Sequence, residues 1–179
     1  MPYRTLRGAV GAISLLLALF LCRAPPAVAG GSQSSTVVIT ASIPASCTIG
    51  TAAIAFAAYD PVNANATAPN DQTGEIIIRC TKGTSGITID LGNGAHNTGQ
   101  QRRMANLTSS STFINYEVYQ ETGRASVWGA GDGGSVRSGA DLNGTGSVVA
   151  VTMYGRIPPG QLAAIAGPYS DTLVSTINF

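Results

Sequence analysis

From residue 35 to the end of the chain, apolar and polar side chains alternate in short runs. No stretch repeats its apolar positions at the three-to-four-residue spacing of a helix. Between Ser35 and Ile43 the alternation is clean: Val37, Ile39, Ala41 and Ile43 fall on one side, and Thr36, Val38, Thr40 and Ser42 on the other. Further strands are predicted at Thr48–Phe56, Gly74–Cys80, Gly86–Leu91, Ile114–Glu121, Ser147–Ile157 and Ser170–Phe179. The last sets Leu173, Ile177 and Phe179 against Thr172, Thr176 and Asn178. A period of two with one apolar face is the pattern of a strand buried on one side and wet on the other. The runs are separated by Gly, Asn, Ser, Thr and Pro, with long polar linkers at Asp60–Thr73 and Trp128–Gly146. Many short strands punctuated in this way predict an all-β antiparallel sandwich or barrel.

The first 29 residues belong to export rather than to the fold. Arg4 and Arg7 precede an apolar run from Gly8 to Cys22, and Ala27-Val28-Ala29 offers the small-x-small pattern of a cleavage site. The run is shorter than the roughly 20 residues a spanning helix needs. Leu21 is too bulky for the position before a lipid-modified cysteine, so Cys22 is not read as a lipoprotein anchor. Cleavage after Ala29 leaves residues 30–179, enough for one domain with a real core. That part carries nine acidic and seven basic side chains, a net charge of −2. Neither nucleic acid nor an anionic membrane is drawn to such a chain, and Arg102-Arg103 reads as a solvated turn. Two cysteines remain, Cys47 and Cys80, and an even count in an exported chain predicts a disulfide between them.

Candidate chemistry is sparse. His96 is the single histidine and lies in a polar turn, Asn93 to Gly99. No serine sits in a Gly-x-Ser-x-Gly elbow, and no Walker or dinucleotide motif occurs. The acids are scattered singly beside turn residues and read as solvated. Gly129–Gly134 has the look of one calcium-binding repeat but reads as a flexible loop. Asn65, Asn106 and Asn143 match a glycan acceptor pattern that an Asn- and Thr-rich chain produces by chance. No enzyme, cofactor or metal is expected.

The ends of the chain are more informative. Residues 30–45 form an uncharged N-terminal extension before a domain at 46–179. Its apolar stripe can complete its own sheet or be added to the edge of another, since an open edge is a template for a strand. The chain ends on Phe179, so the final strand is expected to offer a partner an apolar residue bearing a carboxylate.

Several stretches together resemble the spore coat protein U family, which includes subunits of archaic chaperone–usher pili. They are Ala45-Ser-Cys-Thr48, Phe56 with Tyr59-Asp-Pro61, Ile76-Ile-Ile-Arg-Cys-Thr-Lys-Gly83 and Ile89-Asp-Leu-Gly-Asn-Gly94. Arg103-Met104, Ile114-Asn-Tyr-Glu-Val-Tyr119, Trp128-Gly129, Tyr154-Gly-Arg-Ile-Pro-Pro-Gly-Gln161 and Ala166-Gly-Pro-Tyr-Ser-Asp-Thr172 continue the pattern. Ala57 departs from it, standing where the family more often has glycine. The resemblance implies an incomplete immunoglobulin-like sandwich, filled first by a periplasmic chaperone and then, at an outer-membrane usher, by the next subunit's N-terminal strand. Val37, Ile39, Ala41 and Ile43 would then be donor residues. Leu173, Ile177 and Phe179 would line the edge that receives them, and Cys47–Cys80 would staple the domain. Such a subunit would be built with copies of itself or related chains into a coat or a thin pilus. The rival from another class is a monomeric carbohydrate-binding module, which would need aromatic residues exposed on one surface.

Overall fold

In the computed structural model, residues 30–51, 53–131 and 133–179 are described, and the leader reading falls outside them. The chain divides into two units between Thr40 and Ala41. Of the first, residues 30–40 are exposed and without a strand, so the predicted strand at Ser35–Ile43 does not form in the isolated chain. Its alternation marks a strand-forming sequence, but strand identity needs a ladder partner.

The second unit is all β. Among the described residues nine strands run β1 (Cys47–Thr51), β2 (Asn70–Cys80), β3 (Thr88–Leu91), β4 (Arg102–Asn106), β5 (Phe113–Tyr119), β6 (Arg137–Ser138), β7 (Val148–Ile157), β8 (Tyr169–Ser170) and β9 (Ser175–Asn178). They make a six-stranded sheet in the order β1-β2-β7-β5-β4-β8 and a three-stranded sheet in the order β6-β3-β9. Every pairing is antiparallel. The curled sheets form a half-barrel, an immunoglobulin-like sandwich left incomplete along one seam.

The β2–β7 ladder is the spine, running in register from Asn70 opposite Ile157 to Arg79 opposite Val148. Ile76, Ile78, Val151, Met153 and Ile157 point inward from it, and Ile114, Tyr116 and Val118 of β5 join them. Ile87, Ile89 and Leu91 cover them from the second sheet, with Trp128 and Leu142. Each of these large side chains contributes roughly 1.5–3 kcal/mol on burial. Cys47 and Cys80, register partners across β1 and β2, are joined in a disulfide.

Several expectations need correction. Arg102 is not in a solvated turn: it lies in β4, fully buried. Its Nε and Nη2 donate to the Gly92 carbonyl at 3.0 and 2.8 Å, and Nη2 also reaches the carbonyls of Leu91 and Trp128. Its Nη1 bonds the buried Glu117 carboxylate. Nor are all the acids solvated, since Glu117 and Asp171 are interior. β4 escapes a pattern search because Arg-Arg-Met-Ala-Asn shows no alternation. β2 begins at Asn70, inside the expected linker, and β6 and a 3₁₀ turn at Ala140–Leu142 lie inside the other. The described part of the Gly129–Gly134 loop is hydrogen-bonded to the strands beneath it. The Ala130 N–H donates to the Leu91 carbonyl and the Gly129 N–H to Ser135, closing the loop over Arg102.

Candidate assembly groove

After β1 the chain leaves the ladder, and residues 53–59 fold across the inner face of β2 and β7. Glycine makes this approach possible. A Cβ at Gly74 would come within 2.7 Å of the Ala53 carbonyl oxygen, and one at Gly155 within 2.7 Å of the Phe56 ring. Asn70 Nδ2 holds the segment by donating to the Ala57 carbonyl at 2.9 Å. Farther on, the Tyr59 hydroxyl donates to the Pro158 carbonyl and accepts from the Gln161 N–H.

This segment is one wall of an open apolar trough, and residues 164–175 are the other. One section, about 330 Å³, runs over Ile76, Leu91, Tyr116, Val118 and Met153 to Leu173. The next, about 640 Å³, runs over Ile114 and Ile157 between Tyr59 and Ala164. Ile54, Phe56, Met104 and Tyr169 border both, so the two sections adjoin. Its base is the hydrophobic core itself.

The trough is flanked by unpaired backbone. β1 pairs only with β2, and β9 only with β3. The Gly92 N–H donates to the Val174 carbonyl at 2.9 Å. With Ile89 opposite Ile177 and Leu91 opposite Ser175, the bonds to β3 use Val174, Thr176 and Asn178. In an antiparallel ladder the intervening Ser175 and Ile177 then turn their amides and carbonyls to the free edge. Such an edge invites another strand.

Two acidic side chains border the trough, Asp60 and Asp171. The Asp171 side chain is 2% exposed and takes four donors: the Tyr116 hydroxyl at 2.7 Å, His96 Nδ1 at 3.0 Å, and the N–H groups of Ala95 and His96. Burial, and then the hydrogen bond to Asp171, push the Tyr116 hydroxyl far above the ordinary phenol range, so it remains a donor. The set ties the 93–97 turn to the start of the β9 edge. His96 is therefore a fastener of that turn.

The sequence-selected residues are placed as follows. Val37, Ile39 and Ile43 are 79%, 91% and 83% exposed, and Ala41 is exposed with them. Leu173 lines the trough, Ile177 lies half-buried on β9 with its main chain on the free edge, and Phe179 is 55% exposed just beyond. Met104 and Tyr169 were not selected from the sequence. Neither sits in an alternating run, so no signal of period two marked them.

Comparison with known proteins places the chain in a family. The family model described as Spore Coat Protein U domain matches residues 33–176. Protein U of Myxococcus xanthus is 32% identical over 151 residues, covering 78% of this chain and 80% of that protein. On that match the chain belongs to the Spore Coat Protein U family, whose members are structural subunits of coat or pilus type.

Proposed function

We propose that this protein is an extracellular structural subunit that polymerises by lending residues 37–43 of one copy to the trough of the next. One observation carries the reading: an apolar channel opening onto the core, with the free edge of β9 beside it, occurs in a chain whose own uncharged N-terminal segment exposes an apolar stripe. The dimensions agree. Residues 37–43, when extended, cover roughly 20 Å, and the 53–59 wall has the same number of residues. Seating Val37, Ile39 and Ile43 would contribute roughly 1.5–3 kcal/mol each, besides the main-chain bonds that Ser175 and Ile177 offer.

Register favours exchange over self-closure. A hairpin turning through Pro44–Ser46 would set Ile43 beside Cys47 and Val37 beside Ala53. The 54–59 wall would then meet Gly31 to Thr36, which has no large apolar residue. Only a strand from another copy, free of the tether at Cys47, can lay the stripe along that wall. Until it arrives the open core needs cover, which is the part a periplasmic chaperone plays before an outer-membrane usher hands over the next subunit. A coat layer on a spore or cell and a thin pilus are both built by this one joint.

The test is the size of the protein secreted from its own host, run without boiling or reductant, beside an Ile39→Asp, Ile43→Asp variant. The expected result is a ladder of multimers that collapses to folded monomer in the variant. A wild-type monomer that stays folded would overturn the reading.

A further inference from the structure

The six-stranded sheet has two distinct ends. Register sets Asn70 opposite Ile157 at one, and Cys80 opposite Cys47 with Arg79 opposite Val148 at the other. β2 has 11 residues, so the ends lie roughly 33 Å apart along it. The chain enters β1 at the Cys47 end. The trough opens at the Asn70 end, where its mouth is lined by Asp60 and Pro61 and by Ala164 to Pro168. The donor stripe and the mouth of one copy therefore belong to opposite ends of the sheet.

The mouth is ringed by exposed apolar side chains, Val62, Leu162 and Ile165. Two hydrogen bonds draw their segments together: the Gly160 N–H donates to the Asn65 carbonyl at 2.8 Å, and the Gln161 N–H to the Tyr59 hydroxyl at 3.1 Å. Asp60 belongs to the same turn, its carboxylate accepting the N–H groups of Val62 and Asn63. At the Cys47 end stand the exposed Val148 and Lys82, the single lysine of the chain. The Ser46 carbonyl accepts the Thr81 N–H at 2.8 Å, so Lys82 lies beside the point where the chain enters its domain. Neither Asp60 nor Lys82 joins an ion pair among the described residues.

We propose, resting on the strand exchange above, that the mouth docks the Cys47 end of the incoming copy as a second contact. Val62, Leu162 and Ile165 of one copy pack on Pro44, Ala45 and Val148 of the next, with Asp60 beside the incoming Lys82. Every ladder in the domain is antiparallel, and a parallel one is the weaker. A donor antiparallel to residues 164–177 puts Val37 near Ile177 and Ile43 at the mouth. Beyond Ile43 only Pro44 and Ala45 precede Ser46, which is held in its own domain. Three residue steps reach about 11 Å at most, so the incoming domain cannot stand clear of the mouth. No other occupant is delivered there by so short a covalent link. An exposed Asp–Lys pair adds little energy, but it sets the orientation in which the apolar surfaces meet. Contact between opposite ends of one chain is head-to-tail, and it repeats into an open filament.

The experiment treats the secreted multimers with a water-soluble carbodiimide, which joins a carboxylate to an amine in direct contact, and maps the products after boiling. The expected result is covalent dimers and longer species joined through Asp60 of one copy and Lys82 of the next. That product should be lost in Lys82→Arg and in Asp60→Asn, where asparagine keeps the turn's acceptor. Val62→Ser with Leu162→Ser is expected to lose most of it while the unboiled ladder persists. A ladder in which Lys82 couples to another carboxylate, or to none, would overturn the second contact and leave strand exchange standing. The same Asp60–Lys82 product in the Ile39→Asp, Ile43→Asp monomer would lie within one chain and overturn it too. Absence of any ladder would overturn the strand exchange itself, and this contact with it.

Discussion

The two ends of the core are finished differently. At the closed end Trp128 is fully buried and its Nε1 donates to the Ile89 carbonyl at 2.8 Å. Beside it Arg102 spends its donors on three carbonyls and Glu117. At the open end Ile54, Phe56, Met104 and Leu173 are only partly buried, and β9 has one neighbour instead of two. The same chain therefore closes its interior in one region and leaves it unfinished in the other. An unfinished region of this shape is what a joint between copies requires: its completion has to come from outside.

Substitutions at the two ends should separate stability from assembly. The largest loss is expected at the closed end. Trp128→Ala removes the central side chain and should cost about 3–5 kcal/mol in urea unfolding of the monomer. Arg102→Met would remove a buried ion-pair partner of Glu117 and the donors to three carbonyls, and cost a similar amount, about 3–5 kcal/mol. If either left stability within about 1 kcal/mol of wild type, the contrast between the ends would fail.

Removing the staple comes next. Cys47→Ser with Cys80→Ser opens a span of 33 residues and should lower stability by roughly 3–4 kcal/mol. Gly155→Ala sharpens the comparison, because its methyl group would push Phe56 and the 53–59 wall. A loss of about 1–3 kcal/mol is expected, together with loss of the multimer ladder. At the trough, Leu173→Asp should abolish multimers while changing monomer stability by less than about 1 kcal/mol. A Leu173→Asp protein that still forms the ladder would break the assignment of that wall.

The smallest effect is electrostatic and lies in neither end. The hydrogen bond from Arg156 holds the Asp71 carboxyl below its ordinary range. A carboxyl depressed in the folded state contributes stability above its unfolded value, and loses it as pH falls through the folded value. Because the pair is partly exposed, the contribution is at most about 1 kcal/mol. It should disappear in Asp71→Asn when unfolding at pH 6 is compared with unfolding below pH 3.

Legibility of the sequence tracked how local each feature is. Ile76, Ile77 and Ile78 announce β2 as a short apolar run, and Val148 to Val151 announce β7, because such a run bounded by turn residues is a property of neighbouring residues. Arg102 defeated the same reading. A guanidinium is buried only where carbonyls from 91, 92 and 128 converge, and nothing within Arg-Arg-Met-Ala-Asn carries that information. Ser35–Ile43 failed in the opposite sense: its pattern is that of a strand, but no ladder partner is supplied within the described chain.

The sequence by itself determined the all-β class, the Cys47–Cys80 pairing, and the two apolar stripes at 37–43 and 173–179. These rest on local periodicity and on the count of cysteines. Only the tertiary structure decided that the core opens between residues 53–59 and 164–175, and that β9 keeps a free edge there. The same level fixed that Arg102 is interior and that Val62 and Leu162 gather at the mouth of the trough. A groove is defined by which strand is absent between two walls, and absence between distant segments leaves no mark on the residues of either.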